Sequence, residues 1–161
     1  MEEKIIDLEK QILKTDKMIQ KANRVRSLII NCYKNLDDKY TYSTSKLLRG
    51  NIFGDFMRNS RVKSINNNIG KVQDALLKFE ADLLIFDKDL ASVLKLPAKM
   101  QGYGRVEGKL SDISLRTDMR FRQFDVAKSL RNLDVVIKRL LASRKRMAYD
   151  LKNQKELLGY K

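Results

Sequence analysis

The sequence predicts an all-α protein, folded as an elongated antiparallel three-helix bundle or coiled coil. Nine apolar residues follow one another at alternating intervals of four and three, which places them on one side of a long helix. They are Ile65, Ile69, Val72, Leu76, Phe79, Leu83, Phe86, Leu90 and Val93. With 34% charged residues, one proline and no strand-like alternation, the 161-residue chain has the composition of long helices.

The first helix is predicted over about residues 3–40, with an apolar seam interrupted by Thr15 and Arg26. Arg144 takes a similar position in the seam of the last helix. Two interpretations of these arginines stay open. In the first, the methylene groups of each side chain pack in the seam while the guanidinium group reaches the helix edge. In the second, each guanidinium group pairs with an acid across the interface and fixes the helix register.

A connection is predicted over residues 41–59, because it contains a Thr- and Ser-rich run followed by Gly50 and Gly54. It is also rich in apolar residues, which are Leu47, Leu48, Ile52, Phe53, Phe56 and Met57. Exposed apolar clusters tend to mark interfaces. The cluster is therefore a candidate docking site for a partner protein, and closure of the bundle end is the equal alternative.

The second helix is predicted over about residues 60–96, starting at a serine cap and ending before Pro97. A glycine-containing loop over residues 97–110 follows, and the third helix is predicted over about residues 111–158. The apolar pattern slips before residue 124, which indicates a kink or a short extra helix there.

The third helix has apolar residues on both flanks of its seam, so we expect it at the centre of a single helical domain. Helices this long are expected to project beyond one another. Such overhangs offer a surface through which two copies of the chain can form a homodimer.

Residues that carry chemistry are scarce. The chain has no histidine and a single cysteine, Cys32, which lies beside the first seam and is expected to be buried. We therefore expect no catalytic, metal or cofactor site and no enzymatic activity. No apolar run approaches the ~20 residues of a membrane span, and the first residues lack a secretory core. The prediction is a cytoplasmic protein.

The formal net charge of +14 is uneven, and the basic excess lies in the first connection and the last helix. Six basic residues of the third helix are predicted to form one ridge facing away from the seam. They are Arg131, Lys138, Arg139, Lys145, Arg146 and Lys152. Arg58 and Arg61 extend this patch if the first connection folds toward it. The ridge is a hypothetical contact surface for nucleic acid or an anionic membrane, and a solvated helix face is the alternative.

The order of features between Leu48 and Leu140 resembles an uncharacterised group of small bacterial all-helical proteins. The shared features are a loop with glycine and aromatic residues, a basic and serine-containing helix start, and helices with Phe/Asp motifs. Here they read Gly50 to Phe56, Asn59 to Val62, Phe86 to Leu90 and Phe121 to Asp125. The resemblance implies a helical fold and no particular activity.

Two functions are predicted from these observations. The first is a non-enzymatic protein–protein interaction module, such as an adaptor, chaperone or inhibitor, with another protein as its partner. The second is binding of nucleic acid, without sequence preference, or of an anionic surface through the basic ridge.

Overall fold

The computed structural model describes residues 2–43, 52–100 and 108–159, and the side chains within 2–37, 60–100 and 115–159. The helices are α1 (Glu2–Ser43), α2 (Ile52–Phe86), α3 (Lys88–Ala91) and α4 (Gly108–Leu157). No strand occurs in the described ranges. The all-α helical bundle is confirmed. Across these ranges, no helix has both the length and the apolar character needed to span a bilayer.

The predicted seam of α2 lies in the core. From Ile65 to Leu83 its six members are at most 2% exposed, and Leu90 in α3 is 6% exposed. Phe86 and Val93 are partly buried and pack on the same cluster. Burying a side chain of this size contributes about 1.5–3 kcal/mol, so this stripe is a main source of stability.

The central helix is α1, not the third long helix as the sequence suggested. Two stripes of α1 are buried side by side, which lets it pack on both α4 and α2. The first stripe is Thr15, Ala22, Ile29 and Leu36, and the second is Met18, Val25 and Cys32. The hydroxyl of Thr15 donates to the carbonyl of Gln11 at 2.8 Å, so this buried polar group is satisfied.

Ion pairs and hydrogen bonds show that α4 runs antiparallel to α1. Asp16, Arg26 and Asp37 of α1 meet Arg144, Asp134 and Gln123 of α4, in that order. The steps along the two helices match, which defines one uniform register. In the same way Lys21 meets Asp82 and Asn35 meets Asn68, so α2 is also antiparallel to α1.

Both α2 and α4 therefore run in the same direction, and the chain must return along the bundle between them. The return follows α2 over residues 92–100, without regular structure beyond the turn after α3. Gln73 donates to the carbonyl of Pro97 at 2.7 Å. Asn66 donates to the carbonyl of Met100 at 3.0 Å and accepts from its amide at 2.8 Å.

The bounds of the second helix differ from the prediction at both ends. It begins at Ile52, since apolar residues 52, 53, 56 and 57 already have helical spacing and a helical glycine costs only about 1 kcal/mol. It ends at Phe86 because Asp87 takes an extended backbone and caps α3. The Asp87 carboxylate accepts from the amides of Asp89 and Leu90 at 3.0 and 3.2 Å.

A single continuous helix, α4, replaces the kink or short extra helix expected before residue 124. Leu115 and Met119 are buried and continue the seam to Val126. The apolar pattern slips in this stretch because Phe121 and Phe124 are exposed and do not belong to the seam. At its other end α4 is followed by Gly159, whose φ of 73° is the left-handed conformation typical of glycine after a helix.

Beyond the end of α2, α1 and α4 continue as a two-helix overhang. No described residue of α4 after Leu140 is buried, and Ile5 is the only buried residue described before Thr15. Asp16 with Arg144 and Glu9 with Lys155 join the two helices here, at 2.6 and 2.7 Å. Dimerisation through this overhang stays a prediction.

Candidate functional site

The exposed outer surface of α4 carries the six basic residues predicted to form a ridge. Arg131, Lys138, Arg139, Lys145, Arg146 and Lys152 are all exposed. The seam of α4 and the side chains that pair with α1 lie on the other side of the helix. The ridge is roughly 30 Å long at ~1.5 Å per residue.

Helical geometry arranges this surface in rows, because residues seven apart lie almost above one another. One row runs from Phe124 through Arg131, Lys138 and Lys145 to Lys152. Beside it, rotated by roughly 60°, a second row contains Phe121, Lys128, Val135, Ala142 and Tyr149. Arg139 and Arg146 lie on the far side of the second row. We call all of these residues together the α4 basic face.

Large apolar side chains are exposed between the cations of the α4 basic face. Phe124 is 68%, Tyr149 66% and Phe121 58% exposed, and Val135 is 39% exposed. Phe121 and Phe124 lie near one end of the face and Tyr149 near the other. Three aromatic rings and one valine are therefore exposed on the same face of α4 as the cations.

Most cations of the face lack an acidic partner among the described residues. Within the described part of the chain, Arg131, Lys138, Arg139, Lys145 and Arg146 form no ion pair. Lys152 lies 3.8 Å from Glu156. The positive potential of the face is therefore available to an external anion.

Nearby acids are turned toward other partners. Asp134 accepts from Arg26 of α1 at 2.7 Å, and Asp125 lies 3.3 Å from Arg122. Asp150 is exposed at one edge of the face. Between Val126 and Tyr149, α4 contains no acid other than Asp134.

The return segment adds one further cation. Lys95 lies beside Lys128, and the close approach of the two ammonium groups lowers the pKa of Lys128, while Asp125 acts in the opposite direction. The charge of Arg131 also lowers this pKa. Three cationic side chains thus meet at one end of the face, where a bound anion would relieve their repulsion.

Other predicted site residues are not joined to this face by the described contacts. Arg61 lies on α2 and is half-buried, unlike the exposed residues of the face. The side chains of Arg58, Ile52, Phe53, Phe56 and Met57 lie outside the described side chains, as do Leu47 and Leu48 altogether. The docking hypothesis for residues 47–57 therefore stays a prediction.

In the described ranges, no three metal-ligating side chains converge on one point. Cys32 is buried, as expected, and burial raises the pKa of its thiol to about 11. A thiol with that pKa is a poor nucleophile near neutral pH. The absence of enzymatic activity stays a prediction.

Sequence reasoning missed the aromatic residues of the face and the contribution of Lys95. The signal for Phe121 and Phe124 was present, because neither falls on the stripe that joins Leu115 and Met119 to Val126. For Tyr149 the signal was its position two heptads after Val135, which places it in the same row, away from the seam. Lys95 had no such signal, since its position depends on the path of the return segment.

Comparisons with family models, with curated proteins and with solved structures find no match to this chain. The resemblance to small bacterial helical proteins accordingly stays a prediction. The case for a function depends on the geometry of the α4 basic face.

Proposed function

We propose that this protein binds nucleic acid without sequence preference, through contacts of the α4 basic face with backbone phosphates. The observation that carries the proposal is the group of five exposed cations, from Arg131 to Arg146, that form no ion pair in the described chain and are aligned over roughly 22 Å. Phosphates of one strand recur every ~3.4 Å, so several can be neutralised at once.

The chemistry of the face favours phosphate contacts over base reading. Long Lys and Arg side chains dominate, whereas Asn and Gln, which read adenine edges, are represented at its border by Asn132 and Asn153. The sequence also contains no recognisable unit of the kind in which one helix orients a second, recognition helix in the major groove. Binding is therefore expected to be tolerant of sequence.

The test measures affinity against salt concentration for a 16-bp duplex and a 16-nucleotide strand. Six phosphate contacts predict a slope of log K against log salt of about −5 for the duplex and about −4 for the strand. Replacing Lys138, Arg139, Lys145 and Arg146 by Gln should weaken binding at least tenfold and flatten the duplex slope by about 3 to 4.

A matched control separates the face from net charge. Lys10, Lys17, Arg24 and Lys34 are exposed on α1, and replacing them by Gln removes the same charge elsewhere. This control is expected to keep most of the wild-type affinity. Equal losses in the two variants would reduce the effect to general charge and refute a defined site.

The interaction-module hypothesis depends mainly on residues 47–57 and stays a prediction. A pull-down from lysate, with and without nuclease, distinguishes it from the proposal made here. Partners retained after nuclease treatment and after neutralisation of the α4 basic face would favour the protein–protein interpretation.

A further inference from the structure

The exposed rings of the α4 basic face lie where a flexible anionic polymer would pass. Phe124 and Tyr149 are 68% and 66% exposed, and they are roughly 38 Å apart along the helix. Between them lie the cations that form no ion pair in the described chain. Burial in the core does not explain these rings, because the seam of α4 is complete without them.

The bases of duplex DNA are stacked on one another, so no base face is free to stack on such rings unless the duplex is deformed. An unpaired strand has free base faces, and base–aromatic stacking is tolerant of sequence because every base has a π-face. Proteins that bind single strands combine a positive track for the backbone with aromatic side chains that stack on bases.

We infer that the α4 basic face binds single-stranded nucleic acid, with unpaired bases stacked on Phe124 and Tyr149 and phosphates held by the cations between them. This inference rests on the proposed function and narrows its ligand class. Phe121 lies one turn from Phe124 and offers a second ring at that end.

The geometry sets the length of strand that is needed. At ~3.4 Å per nucleotide, the distance of roughly 38 Å between the two rings corresponds to about 11 nucleotides. Affinity for oligothymidylate should therefore increase up to about 11 or 12 nucleotides and then level off. A more extended strand would reach both rings with fewer nucleotides.

The decisive experiment compares three probes of equal length: a 16-nucleotide thymidine strand, a 16-nucleotide abasic strand and a 16-bp duplex. The wild type should bind the thymidine strand at least fivefold more tightly than the abasic strand, since one stacked base is worth about five- to 150-fold. Phe124→Leu with Tyr149→Leu should remove most of this difference and leave duplex affinity within twofold.

Two further variants make the result specific. Tyr33→Leu changes a partly exposed ring of α1 and should leave all three affinities unchanged. Phe124→Trp introduces the single tryptophan of the chain, so its fluorescence reports on this position. The thymidine strand should quench that fluorescence, and the abasic strand and the duplex should not. Circular dichroism checks that each variant stays helical.

Each other outcome has a defined meaning. If the Leu variants bind the thymidine strand as the wild type does, the single-strand inference is overturned and phosphate binding stands. If the wild type binds the strand and the duplex no more tightly than the four-Gln variant does, the proposed function fails as well. Binding only to vesicles of phosphatidylserine and phosphatidylcholine, with the same dependence on Phe124 and Tyr149, would overturn both in favour of a lipid surface.

Discussion

At the scale of single residues, the asparagine run in the middle of α2 connects this helix to its neighbours. Asparagine is a poor helix former, and three in succession lower the helix propensity of this stretch. The side chain of Asn66 bonds both backbone groups of Met100, and the side chain of Asn68 donates to Asn35 at 2.9 Å. These asparagines have low helix propensity, but their side chains hold the return segment and α1 against α2.

Asn66→Ala should destabilise the protein by about 1–3 kcal/mol, because it leaves the amide and carbonyl of the buried Met100 without partners. Urea unfolding followed by circular dichroism measures the loss. Asn67→Ala is the matched control, since Asn67 is exposed and alanine favours a helix. The control should be neutral or slightly stabilising. Equal effects at the two positions would contradict the assigned role of Asn66.

The buried thiol of Cys32 predicts a pH dependence of stability. Burial raises its pKa from 9.0 to about 11, so the folded state holds the proton more tightly than the unfolded state. This contribution is complete below pH 9 and is lost as pH rises toward 11. The unfolding free energy of the wild type relative to Cys32→Ala should decrease across that window by up to about 3 kcal/mol. A difference that does not vary with pH would contradict this.

At the scale of the helices, periodicity predicted the fold where every apolar residue belongs to the core. The stripe from Ile65 to Leu83 is an example. Prediction from periodicity failed where exposed aromatic residues interrupt the spacing of the core residues, as at Phe121 and Phe124. It also failed where a side-chain cap outcompeted helix continuation, as at Asp87. The parallel course of α2 and α4 depends on distant contacts such as Asn66 with Met100, which no local pattern encodes.

Each seam arginine pairs with an acid of the facing helix, as the second of the two interpretations requires. Arg26 reaches Asp134 at 2.7 Å and Arg144 reaches Asp16 at 2.6 Å, and the bond to Asp16 raises the pKa of Arg144. All four side chains are more than a third exposed. Such pairs give little stability, so we assign them a role in helix register.

Exchange of the charges tests the pair between Arg26 and Asp134. Arg26→Glu alone and Asp134→Arg alone each place like charges in contact and should destabilise by up to about 1 kcal/mol. The double exchange should recover most of that loss in urea unfolding. Lys34→Glu, at an exposed site of α1, gives the effect of a charge change alone. Additive losses in the double variant would show that the two side chains are not coupled.

At the scale of the whole molecule, none of the described elements covers the α4 basic face. In the described chain, α1 lies along the inner side of α4, and the return segment reaches its edge at Lys95 and Lys128. Like charges along the face repel one another, and the net charge of +14 adds to this. A surface whose like charges lower the stability of the fold is typical of a binding site.

Ligand binding should offset the destabilisation that is caused by repulsion between the cations of the α4 basic face. A ligand at 100 times its dissociation constant stabilises the folded state by about 2.7 kcal/mol, which for a chain of this size corresponds to roughly 5–10 °C in Tm. The 16-nucleotide thymidine strand should produce this increase, whereas sodium chloride of equal ionic strength should produce less.

The variant with Gln at 138, 139, 145 and 146 should be more stable than the wild type when no ligand is present, because repulsion between its side chains is reduced. It should gain little stability from the strand. A wild type that is already more stable than this variant at low salt would show that the cations serve the fold, and would remove the reason for assigning them to a ligand.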